Sequence, residues 1–325
     1  MSTPTRRIAD RQVFPIALGS AAWSFSPSMA ATSAETPDER SIATIHAAID
    51  HGITVIDTAR AYTTPDRVGH CESLIARALA THSNSSEVVV ATKGGHDRQG
   101  FEFPIDASAD TVRRQCETSL ELLGVDRIWL YQLHWPDPRV GVSGAITAFA
   151  ELREEGLIEH IGVSNFTLDQ LDEARRVADI ASLQNRFSPS DPGDRELLAY
   201  CQDNAVAYLV HSPFRGLTDG SGAKCAALRS ALPGSARLAE ERGVSIHRLL
   251  LAWMLAVSST VIPICGASRP ESIRDSALAS DLSISREDFE IMPVFEREGG
   301  WRKANLAFGG ALSEWLVEIN EAIAA

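Results

Sequence analysis

The sequence predicts one (β/α)8 barrel, and three observations support that prediction. Short apolar runs rich in β-branched residues alternate with segments of helical periodicity, the pattern expected of a parallel α/β fold. Eight such runs occur within 325 residues, a length that a single barrel can reach, and no low-complexity linker divides them. No GxGxxG sequence and no P-loop is present, which weighs against a doubly wound nucleotide-binding domain.

Eight strands are predicted from the apolar runs. In chain order they are Ile16–Gly19, Thr54–Thr58, Val88–Lys93, Arg127–His134, Glu159–Ser164, Ser182–Asn185, Ala207–His211 and Val261–Gly266. The second and third runs are apolar on both faces, as expected of parallel strands that are covered on both sides. The carboxyl ends of all eight strands should therefore meet at one end of a barrel.

Helical periodicity fills the intervals between the strands. The predicted helices include Asp38–His51, Asp110–Leu123, Ser143–Glu155, Leu168–Val177, Ser245–Ala256 and Pro270–Leu278. Thr167 stands where an N-cap is expected. Gly52 and Gly124 each follow a helical run closely, which indicates helix ends.

The chain is predicted to form a single domain with a barrel core of about residues 13–280 and a C-terminal helical extension over 281–325. Two helices are expected in that extension, at Ser285–Phe295 and Gly310–Ala324. Three long loops follow strands and are candidate covers for a ligand, because barrel active sites are built on this face. They are Ser24–Pro37, Gly94–Ala109 and Pro213–Pro233.

Net charge, apolar runs and cysteine and histidine spacing argue against several classes of protein. A formal net charge of −13 makes nucleic-acid binding a poor expectation. No apolar run approaches the length of a membrane span, and the N-terminus lacks a secretory signal pattern, so we expect a cytoplasmic protein. The five cysteines include no CxxC pair, and no HxH or HExxH spacing occurs, so neither a disulfide framework nor a metal site is expected.

Four reactive side chains close or follow the second, third and fourth predicted strands. They are Asp57, Tyr62, Lys93 and His134. A lysine can stay charged beside an aspartate, and its ammonium is expected to lower the pKa of a neighbouring phenol. A tyrosine tuned in this way can exchange a proton while an imidazole hydrogen-bonds a carbonyl oxygen, which suits carbonyl reduction. Each residue alone also has a structural explanation as a cap, a packing residue or a solvated strand end.

These motifs resemble the aldo-keto reductase family as an ordered set. The resemblance rests on VIDTARAY, VVVATKGG, SLELLGVDRIWLYQLHWPD, EGLIEHIGVSNF and SLQNRFSP. It implies that Tyr62 is the proton donor, that Lys93 and Asp57 tune it, and that His134 orients the substrate. It also implies that NADPH is the cofactor and that a small carbonyl compound is the substrate.

Further residues are assigned by the same resemblance. The implied cofactor-binding residues are Ser20, Asp57, Ser164, Asn165, Gln184, His211, Ser212, Gly266, Ser268, Arg269, Ser272 and Asp275. The implied substrate-binding residues are Trp23, Tyr62, His134 and Trp135. His211 departs from the aromatic residue that the family uses to stack on the nicotinamide. Arg269 and Ser268 favour NADPH, since guanidinium matches phosphate oxygens bidentately.

Other interpretations remain open. The fold is also similar to nucleotide-binding regulatory subunits with little turnover, so a redox-sensing role is the main alternative. The sequence Ser221-Gly-Ala-Lys224 matches a serine nucleophile motif, but it has neither a helix start nor the companion motifs. The chain is expected to act as a monomer or a homo-oligomer, without nucleic-acid or membrane partners.

Overall fold

Eight parallel strands close into a barrel. The computed structural model describes residues 5–24, 38–63, 68–99, 102–188, 195–214 and 224–292. The strands are β1 (Arg6–Ile8), β2 (Arg11–Val13), β3 (Ala17–Gly19), β4 (Val55–Asp57), β5 (Val89–Gly94), β6 (Ile128–Leu133), β7 (Ile158–Ser164), β8 (Ile180–Arg186), β9 (Ala207–His211) and β10 (Val261–Gly266). Strands β3 to β10 pair in chain order, and β10 pairs with β3 to close the barrel. We call the end that holds their carboxyl termini the mouth.

Helices connect the barrel strands. They are α1 (Asp38–Asp50), α2 (His70–Leu79), α3 (Ala109–Leu123), α4 (Val142–Glu154), α5 (Leu168–Val177), α6 (Arg195–Asp203), α7 (Lys224–Ala231), α8 (Pro233–Glu241), α9 (Ile246–Val257), α10 (Pro270–Ala277) and α11 (Arg286–Ile291). Thr167 and Gln170 form a capping box that starts α5. Gly124 ends α3 at a φ of 67°, which a residue with a side chain rarely adopts. None of the helices in the described ranges combines the length and apolar character that a membrane crossing requires.

The predicted barrel is confirmed, and all eight predicted strands occur with boundaries shifted by a few residues. The predicted helix Ser285–Phe295 appears as α11, with Ser285 in a capping box. Residues 293–295, the predicted helix Gly310–Ala324, residues 25–37 of the first predicted loop, and residues 215–223 of the third, which include Ser221, lie outside the described residues. The prediction of a loop over Pro213–Pro233 is wrong in its second half, because residues 224–231 form α7 and Pro233 begins α8. The sequence prediction missed the short antiparallel pair β1 and β2, whose three-residue strands are too brief to give a periodic pattern.

The strands β1 and β2 close the end of the barrel opposite the mouth. Ile8 and Val13 are buried in the same apolar cluster as the inward-facing side chains of the barrel, among them Val55, Leu130 and Ile262. Arg6 anchors the pair, since its guanidinium donates to the carbonyl of Leu255 over 2.7 Å. A second, larger apolar layer lies between the strands and the surrounding helices. The barrel therefore has a filled interior and one open end.

Replacing Ile8 with alanine should destabilise the fold, because the side chain is completely buried at the closed end of the barrel. Removal of such a side chain leaves a cavity and costs about 2–5 kcal/mol of unfolding free energy. Urea unfolding followed by circular dichroism measures this loss.

Val68→Ala is the control, since Val68 is 67% exposed and its loss should change stability by no more than about 0.5 kcal/mol. Equal unfolding midpoints for Ile8→Ala and the wild type would show that the hairpin does not contribute to the core.

Candidate active site

Four side chains from neighbouring strands meet at the mouth. Asp57 is the last residue of β4, Lys93 lies one residue before the end of β5, and His134 directly follows β6. Tyr62 lies in the turn after β4, and the amide of Arg60 in this turn donates to the carbonyl of Lys93 over 3.2 Å. That hydrogen bond holds the turn beside β5. The structure thus brings together the four residues for which the sequence predicted a catalytic role.

Asp57 and Lys93 form a buried ion pair. Lys93 is fully buried, and its Nζ donates to Asp57 Oδ2 over 2.6 Å and to the carbonyl of Thr58 over 2.8 Å. Burial lowers the pKa of Lys93, while the charge and hydrogen bond of Asp57 oppose that shift. The pairing keeps an ammonium inside the barrel, where an uncompensated charge would be strongly destabilising.

Two glutamine side chains bind the second oxygen of Asp57. Gln184 Nε2 donates to Asp57 Oδ1 over 2.7 Å, and Gln132 Nε2 donates to the same oxygen over 3.2 Å. Both glutamines are buried. The resemblance assigned Gln184 to a nicotinamide carboxamide. It lines the cavity at the mouth, but its amide nitrogen already bonds Asp57 and Gln132 inside the barrel.

Tyr62 lies beside both the ion pair and the histidine. The Nζ of Lys93 is 5.2 Å from the centre of the Tyr62 ring, and the His134 ring meets it edge to face at 5.7 Å between centroids. The pKa of Tyr62 is raised, first by burial and then by the negative charge of Asp57. The sequence led us to expect a lowered pKa. The direction is opposite because burial disfavours the phenolate and Asp57 balances the charge of Lys93, so Tyr62 keeps its proton at neutral pH.

His134 is a neutral imidazole in this arrangement. Burial lowers its pKa well below the ordinary value, and the charge of Lys93 acts in the same direction, as do His96 and His211 when they are protonated. Its Nδ1 lies 3.4 Å from Nδ1 of His96. Its backbone carbonyl accepts a hydrogen bond from Asn165 Nδ2 over 3.0 Å. A neutral imidazole has one donating and one accepting nitrogen, so its tautomer decides what it offers to a ligand.

A polar cluster lies across the mouth from Lys93, at the ends of β7 and β9. Asn165 follows β7 with a φ of 62°, a conformation that asparagine tolerates better than most residues. Its Nδ2 also donates to Ser164 Oγ over 3.1 Å, and its Oδ1 lies 3.2 Å from Nε2 of His211. Nδ1 of His211 lies 3.2 Å from the hydroxyl of Ser212. Side chains of Ser164, Asn165, His211 and Ser212 therefore form one connected hydrogen-bonded group.

A cavity of about 230 Å³ opens between this polar cluster and three of the four predicted catalytic residues, Asp57, Tyr62 and His134. It is lined by Gly19, Ala21, Asp57, Tyr62, His134, Trp135, Ser164, Asn165, Gln184, His211, Ser212, Pro213, Ile264 and Gly266. Trp135 is 36% exposed at its rim. The cavity is thus large enough for a small organic group and offers both polar and apolar contacts.

The segment after β10 continues this surface. Gly266 is exposed and lines the cavity, Ser268 is half-buried, and Arg269 is exposed immediately before α10. No side chain caps the N-terminus of α10, and Ser272 lies in its first turn. An uncapped helix N-terminus beside an arginine suits an anionic group.

Seven residues of the predicted site do not line the cavity: Lys93, Ser268, Arg269 and Ser272, together with Trp23, Asp275 and Ser20. Trp23 is buried, and its indole Nε1 donates to the carbonyl of Ala267 over 2.8 Å, so it joins the chain after β3 to the chain after β10. Asp275 accepts hydrogen bonds from Arg248 and ties α10 to α9. Ser20 is buried beneath the mouth, where its amide donates to the carbonyl of Asp57 over 3.0 Å.

The sequence interpretation also missed two residues that contact the predicted catalytic group. Gln132 lies on β6, two residues before His134, a spacing that places both side chains on one face. His96 follows Lys93 by three residues and reaches the His134 ring, with 4.8 Å between centroids. The first spacing was readable from the sequence. The second depends on how the loop after β5 folds.

A separate group of possible metal ligands occurs at the other end of the barrel. It comprises Asp10, Glu159 and His160, whose ligand atoms lie within 4.8 Å of one another. Nε2 of His160 lies 3.2 Å from Asp10 Oδ1 and 3.7 Å from Glu159 Oε1, within ion-pair distance of both, but it makes no hydrogen bond of good geometry to either carboxylate. This group does not contact the mouth.

Comparison with known proteins gives consistent matches across the chain. A profile of the Aldo/keto reductase family matches residues 15–294. The aldo-keto reductase YhdN of Bacillus subtilis is 30% identical over 304 residues, which cover 86% of this chain and 90% of that protein. The NADH-specific methylglyoxal reductase of Escherichia coli is 28% identical over 279 residues, which cover 74% and 82% of the two chains.

Solved structures share the barrel. An aldo-keto reductase from Klebsiella pneumoniae in complex with NADPH gives a TM-score of 0.74 at 25% identity, over 92% of this chain and 98% of the other. The glycerol dehydrogenase of Gluconobacter oxydans gives a TM-score of 0.73 at 27% identity, over 89% and 94%. With the profile match over most of its length and the closed barrel, this chain belongs to the Aldo/keto reductase family of oxidoreductases.

Proposed function

We propose that this protein is an NADPH-dependent carbonyl reductase in which Tyr62 donates a proton to the oxygen of an aldehyde or ketone. The observation that carries the proposal is the grouping of Tyr62, His134, Asp57 and Lys93 at the inner end of a ligand-sized cavity. Tyr62 keeps its proton, Lys93 brings a positive charge within 5.2 Å of its ring, and His134 is a neutral hydrogen-bonding group. Reduction of a carbonyl needs such an acid and such a partner for its oxygen.

Two features of the mouth support a nicotinamide dinucleotide as the cofactor. Ser164 and Asn165 offer hydrogen-bonding groups next to Tyr62 and His134, where a carboxamide would bind. Arg269 and the uncapped N-terminus of α10 offer cationic and amide groups to phosphates. The Escherichia coli relative is named for NADH specificity, whereas the Klebsiella pneumoniae relative was crystallised with NADPH. In this chain, Arg269 favours the additional phosphate of NADPH.

The residues of the site divide the work as follows. Ser164, Asn165 and Arg269 would hold the cofactor, which in its reduced form would supply the hydride for the carbonyl carbon. His134 and Tyr62 hold the carbonyl oxygen, and the phenolic O–H bond of Tyr62 breaks as the O–H bond of the alcohol forms. Lys93 stabilises the phenolate that remains, and solvent restores the proton. The product is the alcohol, with one hydride and one proton added across the C=O bond.

Replacing Tyr62 with phenylalanine should remove the proton donor while keeping the ring. We expect kcat for aldehyde reduction to fall by about 10²–10⁴-fold, the usual contribution of a positioned acid. Nucleotide affinity, measured by fluorescence titration, should change little. Full turnover in Tyr62→Phe would exclude this residue as the donor, and tight nucleotide binding without turnover in the wild type would support a sensing role instead.

Replacing Lys93 with methionine should change the pH dependence of reduction. Tyr62 must be protonated to act, so activity is lost as pH rises through its pKa. Without the ammonium this pKa is higher still, because the phenolate loses its nearest cation. The descending limb of the kcat profile should therefore move to higher pH while the maximal rate falls.

This variant also leaves Asp57 buried without its ion partner, so stability needs a separate control. Lys93→Met should lose about 3–5 kcal/mol of unfolding free energy, and adding Asp57→Asn should restore part of it. An unchanged pH limb in a variant that is folded by circular dichroism would contradict the tuning role of Lys93.

Replacing Arg269 with alanine should weaken NADPH binding selectively. Loss of a charged hydrogen bond to phosphate costs about 1.5–3 kcal/mol, which raises the Kd for NADPH roughly 10- to 100-fold. The Kd for NADH should stay nearly constant. Arg237→Ala, which alters an exposed arginine on α8, is the matched control. Equal losses for both nucleotides would argue against a 2′-phosphate contact.

A further inference from the structure

His96 is held in a fixed position at the edge of the candidate active site. It follows β5 by two residues and begins a loop that folds back on itself, with a β-bridge between His96 and Ile105. The amide of Asp97 donates to the carbonyl of Pro104 over 3.1 Å, and the amide of Asp106 donates to the carbonyl of Gly95 over 3.0 Å. The loop is therefore braced at its base, and the His96 ring has two defined polar neighbours.

The two nitrogens of His96 face different kinds of partner. Nε2 lies 3.1 Å from the carbonyl oxygen of Phe103, which can only accept a hydrogen bond, so this nitrogen carries a hydrogen. Nδ1 lies 3.4 Å from Nδ1 of His134. If His96 is neutral, its Nδ1 has no hydrogen and must accept. The hydrogen between the rings then belongs to His134.

The hydrogen bond between the two rings fixes the tautomer of His134 as well. With its single hydrogen on Nδ1, a neutral His134 has an unprotonated Nε2. Such a nitrogen accepts hydrogen bonds and cannot donate one to a carbonyl oxygen. When His96 gains a proton, its Nδ1 becomes a donor toward His134, and the His134 hydrogen belongs on Nε2. His134 then becomes a donor at its second nitrogen without changing its own charge.

We propose that His96 is a positioning residue that selects the tautomer of His134, so that protonation of His96 converts His134 Nε2 from an acceptor into a donor for the substrate oxygen. This inference rests on the proposed function, in which His134 holds the carbonyl oxygen. It extends that function by giving the site an acid-activated step that involves neither the pKa of Tyr62 nor that of Lys93.

Several charged and titratable groups surround the pair. Asp97 lies next to His96 in the loop and favours its protonated form, as does the carbonyl of Phe103. Arg98 lies over the ring of Phe103 at 5.5 Å, and Lys93 and His211 act on His134 from the other side. Burial is the largest influence and lowers the pKa of His96 below its ordinary value. The donor form of His134 is therefore present below that lowered pKa and is lost as pH rises through it.

Nitrogen-15 NMR of histidine-labelled protein tests the tautomer directly. Long-range couplings between the carbon-bound ring hydrogens and the ring nitrogens assign Nδ1 and Nε2, whose shifts show which one is protonated, and His134→Asn identifies the His134 signals. We expect hydrogen on Nδ1 at neutral pH and on Nε2 once His96 is protonated. Hydrogen on Nε2 at every pH would overturn the proposal.

Steady-state kinetics tests the consequence. For the wild type, kcat/KM for a soluble aldehyde should fall roughly 10- to 100-fold as pH rises through the His96 titration, the range expected for losing one donor to the reacting oxygen. His96→Asn and His96→Leu release His134 from the constraint, so both should lack this step. Retention of the step at the same pH in both variants would overturn the proposal.

His46→Asn is the matched control, because His46 also bonds a backbone carbonyl, that of Ala78, and lies 5.1 Å from a second histidine ring. Its pH profile should equal that of the wild type.

Failure of the proposed function is distinguishable from failure of this proposal. The proposed function fails if the wild type reduces no carbonyl compound or if Tyr62→Phe remains active. In that case the NMR titration still decides whether His96 sets the tautomer.

Discussion

Asp57 and Lys93 carry opposite charges inside the barrel, 2.6 Å apart, and the other polar side chains of the mouth are arranged around them. The second carboxylate oxygen of Asp57 draws in Gln132 from β6 and Gln184 from β8. Side chains from four of the eight strands are thereby joined in one hydrogen-bonded layer just below the cavity. Removing these charged and amide groups from water costs free energy. The layer is stable because nearly every donor bonds a charged or amide acceptor.

The same ion pair acts in opposite directions on its two neighbours. The carboxylate of Asp57 raises the pKa of Tyr62, and the ammonium of Lys93 lowers the pKa of His134. Both effects add to that of burial, and both favour the uncharged form. At neutral pH the site therefore holds one internal ion pair next to a protonated phenol and a neutral imidazole. The hydrogen bonds that the site can offer a ligand therefore depend on which atoms of the phenol and the imidazole carry hydrogen, and not on additional charges.

Local patterns predicted the barrel and the four residues at its mouth, because both follow from strand periodicity and from the shared direction of parallel strands. Contacts between distant segments were not predictable in this way. Trp23 follows the first barrel strand but bonds a carbonyl beyond the last strand, and Asp275 bonds an arginine of the preceding helix. The role of His96 depends on the fold of a loop with no periodicity. The direction of the Tyr62 pKa shift required burial and the balancing charge of Asp57, which a sequence does not give.

A barrel that is filled at one end exchanges solvent with its interior through the other end. In the part of the chain that the structure describes, Ile8 and Val13 pack into the interior from the far end, whereas Tyr62 lines the cavity at the mouth. Under the proposed function, nucleotide and substrate bound in this cavity would shield the phenol from the water that restores its proton. If the proposed function holds, a short hairpin far from the chemistry would thus link recovery of the acid to departure of the product, and the order of release would become part of the catalytic cycle.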